Sequence, residues 1–214
     1  LALAPGHQGT IEALEDVLTG NDREGRILAA NVLVPHYQSR AMHSELISAL
    51  GVAAETDDPT EKLDALRRAV EVADIGLGEP TTAFDLAGRA VRAALSDPAL
   101  ADLITELGRH ARASNRQRDL VQLLTEVAPE VMDGDLQLEV LLTVATVARH
   151  ELADAELAKV YYRRVLEGQP EHEGALDALD DLYRDANDNA NLLEILRRKA
   201  EVTTDAQTRV GLLM

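Results

Sequence analysis

The 214-residue chain has no cysteine and no tryptophan, and its aromatic residues are one Phe and four Tyr. Without cysteine there is no disulfide, no thiolate metal ligand and no cysteine nucleophile. The dearth of aromatics counts against a β-sandwich or barrel, whose pleated faces favour Val, Ile, Thr, Tyr and Phe. No stretch approaches the roughly 18 uncharged apolar residues that a membrane-spanning helix needs. Positive charge is also scarce. Lys and Arg number 21 against 38 Asp and Glu, a formal net charge of −17. Nucleic-acid binding needs clustered Lys and Arg to displace counterions from phosphates, and docking on anionic lipid needs the same. Both partners are therefore disfavoured. Basic proteins or peptides fit the charge better, although acidity serves solubility equally well.

What is present is dominated by Ala and Leu, residues of high helix propensity that suit close helix packing. Composition thus points to an all-α fold. Arg outnumbers Lys 18 to 3, which with the abundant Ala and Leu suggests a GC-rich bacterial source. The lack of cysteine fits a cytoplasmic location and is equally compatible with a periplasmic one. The chain opens on Leu1, without a signal-peptide layout, and reads as a piece of something longer.

Apolar residues recur at spacings of three and four almost throughout, and breakers divide them into about twelve helical segments. Ile11, Leu14, Val17 and Leu18 form the first stripe, closed by Gly20. A second helix carries Ile27, Leu28, Val32 and Leu33 and is expected to stop before Pro35. A third is expected from His36 to Ala54. Asp58 and Pro59 look like an N-cap followed by proline at the first helical position, and Asp97 and Pro98 repeat the pattern. Pro80 opens a further helix. The remainder fall near 99–112, 116–128, 135–150, 153–167, 172–186, 190–203 and 206–214.

The chain is also self-similar. A shift of 72 residues superposes Pro98 on Pro170, Leu107 on Leu179, Asn115 on Asn187, Leu120 on Leu192 and Leu124 on Leu196. Four helices in that period make two hairpins of about 36 residues, the sign of stacked units that bury their apolar faces against neighbours. The expected units are 58–97, 98–133, 134–170 and 171–204, preceded by irregular helices over 1–57 and followed by a truncated unit from 205.

The stretch from Asp154 to Pro170 resembles the second helix of a tetratricopeptide repeat. In that family a small residue, an aromatic four later, a small or apolar residue three later and a proline five later mark the helix. Ala158, Tyr162, Val165 and Pro170 fall on those places, and Leu176, Leu179 and Tyr183 fall where the next first helix has its core. The resemblance is best over 135–205 and poor over the first 60 residues, where HEAT-type hairpins remain an alternative. It implies a right-handed α-solenoid of stacked antiparallel helix hairpins that holds other proteins.

Chemistry-bearing constellations are sparse. Asp180, Asp181 and Asp185 imitate an aspartate-rich magnesium motif but lack a second motif and an aromatic-lined cavity. Asp185, Asn187 and Asn189 imitate the start of a calcium loop, yet Ala190 and Leu196 stand where Gly and Glu are required. The six histidines show no zinc spacing. There is no phosphate-binding glycine loop, dinucleotide fingerprint or nucleophile elbow. No metal or cofactor is expected, and an enzyme is improbable.

Two charge features stand out. Asp177, Asp181 and Asp185 lie four apart on one helix face with no Lys four residues on to neutralise them. Arg109 and Arg112, with Arg116 nearby, form the opposite patch. If the resemblance holds, Arg109, Arg112, Asp177 and Asp181 face one concave groove with a basic and an acidic end, suited to a peptide of mixed charge. Solvated faces are the plainer reading. Core packing is expected of Tyr162, with Tyr161 undecided. The chain ends on the apolar Leu212, Leu213 and Met214, so the structure either continues or is covered there, and self-association through this end is the alternative to a peptide-binding scaffold.

Overall fold

A computed structural model describes residues 8–202. Eleven α-helices run in succession, with no strand among the described residues. They are α1 (Gln8–Leu18), α2 (Arg23–Ser39), α3 (His43–Ala53), α4 (Pro59–Glu71), α5 (Pro80–Ala93) and α6 (Leu100–Ala113), then α7 (Gln117–Val127), α8 (Gly134–His150), α9 (Ala155–Gly168), α10 (Glu173–Asp185) and α11 (Asn189–Val202). A π-helical turn, Val72–Leu77, continues α4, and a single 3₁₀ turn, Ala128–Glu130, follows α7. The twelfth expected helix, 206–214, lies outside the described residues.

The chain divides after Arg116 into two compact units. In the first, each of α1 to α6 packs on the next; in the second, each of α7 to α11 does so. The stripes read from the sequence become the cores. Leu33, Leu50, Val91, Leu100 and Leu107 are fully buried in the first unit, and Leu120, Leu124, Val140, Leu176 and Leu179 in the second. Each such side chain contributes about 2 kcal/mol by leaving water.

One device recurs along the chain. Ala41, Gly78, Asn115, Ala153 and Asn187 all take left-handed backbone, with φ of 54°, 66°, 57°, 52° and 54°. Their intervals are 37, 37, 38 and 34 residues. In each case the following residue's N–H donates back to a carbonyl of the finished helix: Met42 to Tyr37, Glu79 to Ala73, Arg116 to Ala111, Asp154 to Ala148 and Asp188 to Tyr183, at 2.8 to 3.0 Å. This is the Schellman termination, which satisfies carbonyls that have no donor at a helix end. Two of these residues then serve the next helix. The Asp154 carboxylate accepts from Leu157 N at 3.0 Å and that of Asp188 from Asn191 N at 3.2 Å, capping α9 and α11. Elsewhere Asp58 caps α4 ahead of Pro59, as the sequence implied.

Several expectations need correction. The second helix does not stop before Pro35. It runs through the proline to Ser39, because Leu33, Val34 and Tyr37 on either side are buried and hold the helix in place. The third helix begins at His43 instead of His36, since the left-handed Ala41 intervenes. Asp97 and Pro98 cap a turn and the helix starts at Leu100. Residues 23–53 form a regular hairpin, where irregular helices were expected. Tyr37 ties α1 to it: its hydroxyl donates to Glu15 at 2.8 Å, and burial with that carboxylate pushes the phenol up to about 12.

Candidate functional site

Arg109 and Arg112 lie on α6 in the first unit, and Asp177, Asp181 and Asp185 on α10 in the second. Arg109 is committed locally. Its guanidinium lies 2.9 Å from Asp74 in the π-turn and 3.7 Å from Glu106, and it holds the Asp74 carboxyl below the usual range. Arg112 is exposed on the same helix. Arg116 pairs with Asp85 at 2.5 Å and lies over the Phe84 ring at 4.4 Å.

The α10 carboxylates are likewise matched. Lys199 of α11 reaches Asp177 at 2.7 Å and the buried Asp180 at 2.8 Å, and Arg149 of α8 reaches Asp181 at 2.9 Å. Neutralisation comes from the adjoining helices, where an i+4 search within α10 does not look. Asp185 is exposed at the end of α10. Such exposed pairs contribute about 0–1 kcal/mol each, so they explain these residues without a ligand. Asn187 and the capping Asp188 make the turn into α11. Among the described residues no group of three or more His, Cys, Asp or Glu is placed to hold a metal ion.

Of the residues that carried the repeat resemblance, Ala158, Tyr162, Val165, Leu176, Leu179 and Tyr183 are buried. Pro170 is not: it stands exposed in the turn after α9, where it ends a helix and packs nothing. Tyr161, left undecided by the sequence, is buried and donates to or accepts from Thr125 at 2.9 Å.

The first unit holds two cavities that the sequence did not reveal. One, of about 420 Å³, lies among α2, α3 and α4, lined by Asn31 and Pro35 on one wall and Glu61 and Asp64 on the other. The second, of about 260 Å³, adjoins it and reaches Ile75 and Gly76 in the π-turn. Leu50 and Arg68 line both. Between them Arg68 of α4 donates to the Gln38 side chain of α2 at 3.0 Å. Together they form one groove between α2 and α4. Both walls are irregular where the groove opens. Pro35 has no N–H, so the Asn31 carbonyl loses its i+4 donor. Opposite, the π-turn widens α4, an irregularity common at functional sites. A hint was available in the sequence: Asn31, Pro35 and Gln38 fall on one helical stripe once the helix is allowed through Pro35.

Near the π-turn, His110 is completely buried. Arg109 donates to its Nε2 at 3.1 Å, which places the proton on Nδ1. Nδ1 is 3.7 Å from Asp74, too far for a hydrogen bond, and has no other partner. Burial and then Arg109 hold its pKa below the ordinary histidine value, against Asp74 and Glu106, which raise it.

Hairpins recurring at 34 to 38 residues, each closed by the same cap, make this a helical-repeat protein of TPR-like design. No protein-family model matches the chain, and no curated protein matches it. Among solved structures it is similar to YrrB, a TPR protein with an unusual peptide-binding site, with 19% identity, 94% of this chain and 97% of that one covered, and a TM-score of 0.42. It is also similar to PilF of Pseudomonas aeruginosa, at 18% identity over 89% of this chain and 82% of that one, with a TM-score of 0.44. At those scores the assignment of the fold rests on the hairpins themselves.

Proposed function

We propose that this chain is a non-catalytic scaffold that binds another protein or a peptide. The observation that carries the reading is the groove between α2 and α4. Two adjoining cavities in line suit an elongated ligand better than a compact small molecule, and Leu28 and Ile75, on the helices that wall the groove, are 68% and 77% exposed. Exposed apolar side chains beside a groove are a usual mark of protein binding. The patches on α6 and α10 support the reading less, because Arg109, Asp177 and Asp181 already have partners within the chain. Assembly through Leu212, Leu213 and Met214 concerns residues outside those described.

The test is affinity capture on the immobilised chain from extract of the cells that make it, followed by calorimetry with each captured protein after purification. Saturable binding by at least one purified protein supports a scaffold. If every captured protein fails to bind once purified, the reading is wrong.

A further inference from the structure

Resting on the scaffold reading, we infer that the α2–α4 groove takes an amphipathic helical segment of a partner, with a Lys or Arg at the Asp64 end and an aliphatic side chain at the Ile75 end. The polarity follows from how the groove is charged. Glu61 and Asp64 stand one helical turn apart on the wall of the larger cavity, both exposed. Asp64 has no ion pair among the described residues. Across from them the Asn31 carbonyl, deprived of its helical donor by Pro35, offers a further acceptor. A cationic side chain is the group that donates to all three at once. Arg68, held to Gln38, marks the limit of that acidic end. Beyond it the second cavity is lined by Leu46, Leu50 and Val72 and edged by the exposed Ile75. An aliphatic side chain there removes apolar surface from water on both partners.

The geometry sets a spacing. Asp64 and Ile75 lie eleven residues apart along one continuous helical run, about 16 Å at 1.5 Å per residue. A helical ligand laid along the groove therefore presents its basic and aliphatic groups about three turns apart. Helix-in-groove recognition of this kind reads anchors at fixed helical spacing. With a net charge of −17 the chain also draws basic segments towards it before contact. That general attraction is the effect the experiment must separate from the groove itself.

The probe is a fluorescent 15-residue amphipathic helix of Leu and Lys, with a Leu and Glu counterpart, read by fluorescence anisotropy against the whole 214-residue chain. Two variants remove the groove's anchors: E61Q with D64N at one end, and I75S at the other. A third, E167Q with E171Q, removes the same charge from exposed positions in the second unit. The Leu and Lys peptide is expected to bind about tenfold more weakly to either groove variant and within twofold of normal to the control. The Leu and Glu peptide is expected not to bind. Equal weakening by the control, unchanged binding to the groove variants, or comparable binding of both peptides overturns the inference. All substituted positions are exposed, so circular dichroism of each variant should match the parent. A natural partner that the Leu and Lys peptide fails to displace would overturn the groove assignment while leaving the scaffold intact.

Discussion

An L-residue in the left-handed region sets its Cβ against a neighbouring carbonyl, at about 1–2 kcal/mol, a penalty glycine escapes. Ala41 and Ala153 bear that strain and Gly78 does not. A41G and A153G are each expected to raise stability by about 0.5–1 kcal/mol, read as a higher urea midpoint. G78A should lower it by about 1 kcal/mol, and from backbone strain alone, since an added Cβ there meets nothing within 4 Å. The same residues show what was readable. Gly78, Asn115 and Asn187 announce a turn by residue type, whereas Ala41 and Ala153 carry no such mark. That is why one long third helix was expected across Ala41. His110 gives a second residue-scale test. Its folded pKa lies below its ordinary value of 6.5, so the unfolded imidazole takes up its proton first as pH falls. Its contribution to stability is therefore full above pH 6.5 and is lost as pH drops below it, until the folded ring protonates as well. H110L should flatten the fall in urea midpoint between about pH 6.5 and 5. An unchanged slope would assign that sensitivity to other histidines.

Among the elements, α2 is the informative one. An interior proline costs about 3 kcal/mol through its lost hydrogen bond and ring clash, and α2 absorbs this because its buried face is packed on α3. P35A is expected to raise the urea midpoint and to weaken the Leu and Lys peptide, a stability gain at the expense of binding. Stability and binding rising together would show that Pro35 does not shape the groove. The helix faces were legible from spacing, as the burial of Ala158, Tyr162, Val165, Leu176 and Leu179 shows. The fate of the charges was not. Asp177 and Asp181 looked uncompensated because their cations, Lys199 and Arg149, belong to helices 18 or more residues away in sequence. The groove escaped notice for a related reason, since a cavity depends on how two helices diverge and no stripe on either one encodes it.

For the whole molecule the dominant quantity is the charge of −17. Local ion pairs favour the fold, while the excess of carboxylates repels itself throughout. Raising NaCl from 0.01 to 0.1 M shortens the Debye length from about 30 to about 10 Å, which screens distant repulsion while leaving contacts near 3 Å largely intact. The urea midpoint should therefore rise over that interval. A fall would mean that the ion pairs outweigh the self-repulsion. The acidity and the hairpin period were both plain in the sequence, being sums and spacings that need no third dimension. The recurring Schellman termination has one more consequence. Because each hairpin turns on the same backbone seam, the seams are interchangeable, and the chain can be lengthened or spliced there as a text is at its punctuation. A second copy of 134–170 inserted after Pro170 would carry its own cap at Ala153, leaving the neighbouring turns with the donors and acceptors they already use.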